Sequence, residues 1–217
     1  MPRILFAATM IVLLLVTGCG QRSAQAMRRV GDDFLETRNY DRALIEYEQI
    51  IDRYPGDWDA QYKVGLCCLQ TQRPNDARRA LEIAHTLRPG DHRITDALCD
   101  AMYQQGDEPR LFTFVKTQAE TSQDPADWLR FANYARLMGD PDSARTAIGT
   151  AIELDGGVSV DPYLHAAALA MQVGERDVAV RRLRQAYGIN PYDERVRTRL
   201  RELGEIPGPS IALPPGR

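Results

Sequence analysis

The residue types that most often perform chemistry in proteins are sparse in this sequence of 217 residues. The three histidines, His85, His92 and His165, have no partner at metal-ligand spacing. The sequence has no glycine-rich phosphate loop and no nucleophile motif, and the paired carboxylates Asp32 and Asp33 fit a solvated helix face. We therefore predict no catalytic, cofactor-binding or metal-binding residue and no small-molecule substrate. The protein is expected not to be an enzyme.

One cysteine has a position that indicates covalent modification. Cys19 follows Arg3, the apolar run 4–16 and the small residues Thr17 and Gly18. The run has the length of a signal-peptide core and is too short to span a membrane. This segment resembles the lipobox of bacterial lipoproteins. The resemblance implies diacylglyceryl attachment to the Cys19 thiol, cleavage before Cys19 and usually acylation of the new amino group, so that palmitate-type chains anchor the protein to a membrane. No cofactor is expected besides this covalent lipid.

The resemblance also implies an order of segments and a location. Residues 1–18 would be the lipoprotein signal peptide, and residues 19–23 the lipidated cysteine with a short tether. Gly20 stands where an inner-membrane retention signal often has Asp. We therefore expect the periplasmic face of the outer membrane. The alternative is a plain secretory signal with an incidental cysteine.

The remaining cysteines, Cys67, Cys68 and Cys99, would then lie in an oxidising compartment. A disulfide between Cys68 and Cys99 is conceivable, because both are predicted to lie between helices, on the first helices of consecutive repeats. It would need Cα atoms within about 7 Å, which is closer than most helix pairs allow. The interpretation as small buried thiols is favoured.

Charge excludes one class of partner. The formal net charge is −3, and Lys63 and Lys116 are the only lysines among 27 basic residues. Such a balance gives no reason to expect nucleic-acid binding.

A repeat organises the rest of the chain. The thirty-four residues 58–91 match the residues before them: Val64-Gly65 corresponds to Val30-Gly31, Ala77 to Ala43, and Pro89 to Pro55. The spacing and residue types resemble the tetratricopeptide repeat (TPR). That resemblance implies an all-α fold, a right-handed α-solenoid of about five helix pairs with a C-terminal capping helix.

Alignment on the small residue of each first helix divides the predicted solenoid, 24–204, into five units and a cap. The units are 24–57, 58–91, 92–124, 125–159 and 160–193, and the cap is 194–204. Capping residues before proline predict helix starts at Asp124, Asp140, Asp161 and Asn190, and glycines predict turns at Gly106, Gly139 and Gly174. The proline-rich residues 205–217 are predicted to be a disordered, extended tail.

The repeat also predicts which side chains pack between helices. Small residues at Ala43, Ala77, Ala144 and Ala179 allow close helix approach, and Tyr47, Leu81, Val115, Ile148 and Leu183 fill the space beside them.

In the TPR family the first helices line a concave groove that binds peptides or helices. The resemblance implies a groove beginning with Arg28 and Asp32, then lined by Tyr62, Leu66, Leu69, Asp96, Asp100, Tyr103, Leu129, Asn133, Arg136, Leu137, Leu164, Ala168 and Met171. None of these positions is Lys, which argues against the chaperone-tail binders of the family. An extended peptide or an amphipathic helix of a protein partner is expected.

A lipobox followed by such repeats resembles bacterial envelope lipoproteins that act as adaptors, including pilotin-like proteins of type IV and tight-adherence pili. We therefore expect a non-enzymatic, membrane-anchored scaffold that assists assembly of a pilus or secretion system. The alternative is an adaptor for peptidoglycan hydrolases or for outer-membrane protein assembly.

Overall fold

The computed structural model of the chain describes residues 22–216. Within this range the chain forms eleven α-helices and one short 3₁₀ helix, and no residue lies in a β-strand. The all-α class predicted from the repeat is therefore confirmed. Residues 1–18 and Cys19, which carry the predicted signal peptide and lipid, lie outside the described residues.

The chain divides into two compact units, Met1–Ala101 and Met102–Arg217. The first contains α1 (Ala24–Glu36), α2 (Tyr40–Arg53), α3 (Trp58–Gln70), α4 (Pro74–Leu87) and most of α5 (His92–Gln105). The second contains the end of α5, α6 (Glu108–Thr121), α7 (Pro125–Leu137), α8 (Pro141–Asp155), α9 (Asp161–Gln172), α10 (Arg176–Ile189), α11 (Glu194–Glu202) and the 3₁₀ helix Pro209–Ile211.

Consecutive helices pack against each other inside each unit. In the first, α1 packs on α2, α2 on α3 and α3 on α4; in the second, this order continues from α6 to α11, and α7 also packs on α9. This is the pairing that a helix-pair repeat requires, because each helix buries its apolar stripe against its neighbours in the chain.

Helix starts follow the predicted capping residues in two cases and differ in two. Asp124 and Asp140 accept hydrogen bonds from the backbone N–H groups of α7 and α8, and proline follows each of them. Asp161 lies inside α9 instead, after Val160. Asn190 caps a turn and not a helix, and α11 begins only after Asp193, whose carboxylate accepts from two N–H groups of α11.

The turns between paired helices have left-handed backbone at one equivalent residue. Gly106, Gly139 and Gly174 have φ values of 77°, 78° and 81°, as their positions predict. The first two repeats place Arg38 and Gln72 there, with φ of 56° and 58°. The same turn therefore forms with or without glycine, at the cost of local strain where a side chain is present.

Close packing of paired helices explains the repeated small residues. Ala43, Ala77, Ala144 and Ala179 have no exposed surface, and the larger residues predicted to lie beside them are at most 5% exposed. A Cβ atom added to Gly65 would lie 2.4 Å from Cγ of Leu81, which is itself fully buried. The helices approach too closely at this point for any side chain but hydrogen.

The three cysteines of the repeats are buried, and Cys67 and Cys68 are free thiols. The conceivable bond between Cys68 and Cys99 is therefore not formed in the structure. Burial raises the pKa of Cys67 to about 12 and also raises that of Cys68. Since the thiolate is the reactive form, these thiols are held in an inert state.

We expect the buried thiols to be unreactive until the protein unfolds. A thiol with a pKa of about 12 is ionised in roughly one molecule in 10,000 at about pH 8. In a Cys19→Ser chain, Ellman's reagent should therefore label the native protein only slowly and should titrate three thiols in guanidinium chloride. A single reactive thiol in the unfolded, unreduced protein would instead indicate a disulfide.

The C-terminal residues differ from the predicted disordered tail. Residues 205–216 fold back along α10, where the backbone N–H of Leu213 donates to the carbonyl of Arg184 at 3.1 Å. The N–H of Gly216 donates to the hydroxyl of Tyr163 at 3.1 Å. Proline-rich composition indicated correctly that this segment is not an α-helix, but it carried no information about a docking surface on the last repeat.

Among the helices of residues 22–216, none combines the length and the apolar character needed to span a membrane.

Candidate functional site

Ion pairs connect the first helices of the two initial repeats. Arg28 on α1 contacts Asp57 and Asp59 at the start of α3. Lys63 on α3 reaches back to Asp32 of α1 at 2.7 Å and to Asp59 at 3.2 Å. Arg28 and Asp32, which the TPR resemblance placed in the groove, are therefore engaged within the chain and are not available to a partner as isolated charges.

Asp32 is the centre of this network. It also accepts a hydrogen bond from the hydroxyl of Tyr47 at 2.6 Å. Burial works to raise the pKa of Asp32, but the hydrogen bonds from Lys63 and Tyr47 and the charges of Lys63 and Arg28 outweigh it, so the pKa is lowered. Burial and the same carboxylate raise the pKa of Tyr47, which therefore remains a hydrogen-bond donor.

We expect the contribution of Asp32 to stability to depend on pH. Because its pKa is lower in the folded chain than in the unfolded one, its ionised form stabilises the fold above about pH 4. That contribution is lost as the pH falls through the lowered pKa. Urea unfolding should show Asp32→Asn to be less stable than the parent at pH 7, with a difference that shrinks in acid. Asp33→Asn, on the adjacent exposed position, is the matched control.

The other predicted groove positions of the first unit differ in how exposed their side chains are. Four keep accessible surface: Tyr62, Leu66, Asp96 and Asp100. The guanidinium of Arg93 lies 5.9 Å from the ring centre of Tyr62. Leu69 is only 5% exposed, so its prediction as a groove residue is corrected: it packs in the core.

An exposed apolar row lies in the second unit. Tyr103, Leu137 and Met171 are spaced by one repeat length and are 38%, 41% and 45% exposed. They stand at the ends of α5, α7 and α9. We call these three residues the apolar row.

Direct contacts show that these helix ends are neighbours. The rings of Tyr103 and Tyr134 are 6.1 Å apart between centroids. Arg136 Nη1 donates to Gln172 Oε1 at 3.0 Å, and Gln172 Nε2 donates to the carbonyl of Arg136 at 3.4 Å. The apolar row is therefore one continuous feature of the second unit, and its large exposed side chains are suited to binding another protein.

An open cleft of about 840 Å³ lies between α7, α9 and α11. Most of its lining residues have polar or charged side chains, and Leu164 and Ala168 are the apolar ones. The polar lining residues are Asn133, Arg136, Asp161, His165, Glu194, Arg195, Thr198, Arg199 and Glu202. We call this feature the second-unit cleft.

The arginines of this cleft differ in whether a carboxylate of the chain pairs with them. Arg195 pairs with Asp161 and Asp193, each at 2.8 Å. Arg136 instead donates to two neutral amides, those of Gln172 and Asn133. Among the described residues, neither Arg136 nor Arg199 has a carboxylate in ion-pair contact. The lining also contains Asp161, Glu194 and Glu202, but Arg136 and Arg199 form no ion pair with them, so both guanidinium groups can pair with an acidic group of a partner.

Burial and these neighbouring charges determine the pKa of His165. Burial lowers its pKa; the charge of Asp161 opposes that effect, and those of Arg136 and Arg199 add to it. The imidazole is therefore held neutral at pH 7, and it can accept or donate a hydrogen bond without adding a third charge.

The second unit brings together most of the residues predicted there. Asn133, Arg136, Leu164 and Ala168 line the cleft, although Leu164 is only 8% exposed. Leu137 and Met171 belong to the apolar row. Leu129 is 9% exposed and lies in the core, so its assignment to the groove is corrected.

His165, Arg195 and Arg199 line the cleft but were not predicted as site residues. His165 lies on α9 and was considered only as a metal ligand, whereas Arg195 and Arg199 lie on α11, which was predicted only as a cap. Arg195 and Arg199 stand one repeat length after Asp161 and His165, which line the same cleft. Extending the repeat register into α11 would therefore have identified these two arginines.

Comparison with known proteins agrees with the fold. The sequence model of the tetratricopeptide repeat matches residues 30–92. No curated protein sequence matches the chain.

Solved TPR structures superpose on most of the chain. TTC0263 of Thermus thermophilus, a thermophilic TPR protein, is 19% identical, with a TM-score of 0.59 over 83% of this chain and 98% of its own. YrrB, a TPR protein with an unusual peptide-binding site, is 16% identical, with a TM-score of 0.52 over 83% and 92%. PilF of Pseudomonas aeruginosa is 18% identical, with a TM-score of 0.55 over 83% and 82%. At these identities the likeness defines the fold: helix pairs of the TPR type, a fold suited to protein–protein interaction.

Proposed function

We propose that this protein is a non-enzymatic scaffold that holds a peptide or helix of a partner protein in the second-unit cleft. The observation that carries the proposal is that the apolar row adjoins the cleft at Arg136, which precedes Leu137 and is hydrogen-bonded to Gln172 beside Met171, while Arg199 lines the same cleft. Apolar side chains supply area removed from water, and the unneutralised arginines supply orientation through charge-assisted hydrogen bonds. A partner segment with an acidic residue beside large apolar ones fits both requirements.

The proposal includes a lipid anchor at Cys19 on the periplasmic face of the outer membrane. It rests on the lipobox-like sequence before Cys19. Two or more acyl chains would anchor the protein stably, because each buried methylene contributes about 0.8 kcal/mol. The short tether would keep the first repeat close to the lipid surface, since about five residues span at most roughly 18 Å.

The anchor is tested by a single change. We expect Cys19→Ser to abolish palmitate labelling and to move the protein from the membrane fraction to the soluble fraction. Cys67→Ser, which changes a buried thiol, should leave labelling intact. Persistent palmitate labelling of the Cys19→Ser protein would contradict the assignment.

Within the envelope, we propose assembly of a pilus or secretion system as the process served. Support comes from the lipobox followed by TPR units and from the structural likeness to PilF of Pseudomonas aeruginosa. The alternative is an adaptor for peptidoglycan hydrolases or for outer-membrane protein assembly, which would use the same cleft on a different partner.

Photocrosslinking from the apolar row tests both the cleft and the process. A photoreactive residue at Leu137 should capture a specific envelope protein, whereas the same residue at Val158, which is 82% exposed in the loop between α8 and α9, should not. Recovery of a secretin or pilus-machinery subunit supports the leading proposal, and recovery of a hydrolase or barrel-assembly protein supports the alternative. Equal capture from both positions would contradict binding at the cleft.

A further inference from the structure

The C-terminal segment, residues 205–216, is held in a groove of its own, away from the second-unit cleft. We call this segment the strap. It leaves α11 where Arg176 Nη2 donates to the carbonyl of Leu203 at 2.5 Å. It then runs beside α10, where Arg184 Nε donates to the carbonyl of Ile211 at 2.8 Å. Each earlier first helix is followed by a second helix, but α11 is followed by this extended strap.

The groove is shaped for backbone that approaches closely. A Cβ atom on Gly188 would lie 2.0 Å from the carbonyl oxygen of Leu213, and one on Gly157 would lie 2.7 Å from Cβ of Pro215. Either contact is shorter than packed atoms tolerate. Glycine at both positions therefore leaves the space in which the strap lies.

Buried polar groups of the groove bind the backbone of the strap. The carbonyl of Gly216 accepts from Arg182 Nη1 at 3.1 Å and from Gln185 Nε2 at 3.2 Å, and its N–H donates to Tyr163. Gln185 is 4% exposed and Tyr163 is 1% exposed. Groups buried to this degree need partners, and the strap supplies them.

The side chains of the strap contribute less to this recognition. Ile206 is 85% exposed, and Ala212, Pro214 and Pro215 are also exposed. Prolines have no N–H group and favour extended backbone, so such a segment binds without first giving up helix or strand hydrogen bonds. The groove therefore selects extended backbone with small or proline residues, and many sequences could satisfy it.

We propose that this strap groove, formed by Gly157, Tyr163, Arg182, Arg184, Gln185 and Gly188, is a second peptide-binding site. Its ligand is an extended proline-rich segment of a partner protein, and the strap is the resident competitor. The hydrogen bonds that hold the strap go to its backbone, which a foreign segment also has. Tethering gives the strap an effective concentration of about 1 mM, so it reduces access without preventing exchange.

The test uses the full chain with the strap loosened. Leu213→Pro with Gly216→Pro removes the two strap N–H groups that donate to the last repeat, and it leaves the groove unchanged. A fluorescent peptide of residues 205–216 is then titrated by anisotropy. We expect the double variant to bind it at least tenfold more tightly than the parent chain. A peptide carrying the same two prolines should not bind.

A second pair of variants separates groove binding from loss of fold. Gly188→Ala fills the groove beside Leu213 while favouring the helix, and Gly149→Ala makes the same change where no atom lies within 4 Å. Added to the double variant, Gly188→Ala should abolish peptide binding and Gly149→Ala should preserve it. Equal peptide affinity of the parent and the double variant, or binding that survives Gly188→Ala, would overturn the proposal.

One further outcome would identify a different occupant of the strap groove. If the parent chain is a dimer by light scattering and the double variant is a monomer, the strap of a second copy is the occupant. That result would reject a proline-rich partner segment.

Discussion

Gly65→Ala is expected to lower the free energy of unfolding by about 1–3 kcal/mol, the usual cost of overpacking a core. The added Cβ would lie 2.4 Å from Cγ and 2.7 Å from Cδ2 of Leu81. Leu81 has no exposed surface, so it cannot turn towards solvent to make room. Helices α3 and α4 must therefore separate, or Leu81 must leave its preferred rotamer. Urea unfolding followed by circular dichroism measures the change.

Gly149→Ala provides the control, with the opposite expected sign. Gly149 lies within α8, and no atom would lie within 4 Å of its added Cβ. Alanine favours the helix over glycine by about 1 kcal/mol, so stability should rise. A similar stability for both variants would show that close approach of α3 and α4 does not determine the residue at position 65.

Reversing the two unneutralised charges of the cleft should have the largest effect on function. Arg136→Glu with Arg199→Glu is expected to reduce crosslinking from Leu137 at least tenfold, because a charge-assisted hydrogen bond contributes about 1.5–3 kcal/mol. Arg29→Glu makes the same change on the exposed surface of α1 and should leave capture unchanged. Undiminished capture by the double variant would exclude an acidic contact at these arginines.

The pKa of His165 provides a second measurement of whether an acidic partner group binds at Arg136 and Arg199. Burial is the main cause of the lowered pKa of His165, and the charges of Arg136 and Arg199 add to it; an anionic group bound between the two arginines would offset the contribution of these charges. The pKa of His165, followed by NMR titration of the ring protons, should therefore rise when the captured partner segment is added. A neutral segment bound only to the apolar row would leave that pKa unchanged.

Much of the candidate site could be predicted, because repeat position determines which way a side chain faces. Tyr103, Leu137 and Met171 occupy one such position and are all exposed. The same reasoning failed for Leu69, which occupies the equivalent position but is 5% exposed. Its burial depends on which residues of neighbouring helices cover it, and the repeat pattern does not specify them.

The ion pairs between helices could not be predicted from the sequence either. Lys63 pairs with Asp32 across thirty-one residues, and Arg195 with Asp161 across thirty-four. Arg136 and Arg199 are left without such partners in the described part of the chain. Each outcome depends on separations of a few ångströms between helices, which one-dimensional spacing cannot resolve.

The amino-acid sequence by itself determined the helical class, the repeat period, the turns at Gly106, Gly139 and Gly174, and the small residues between paired helices. These features follow from local backbone preferences and from the regular return of apolar and small side chains, both of which are written along the chain. The tertiary structure alone decided which arginines remain unneutralised and where the strap lies. Those features depend on contacts between residues distant in sequence, such as Gly216 with Tyr163. Such contacts form only when the helices pack against each other.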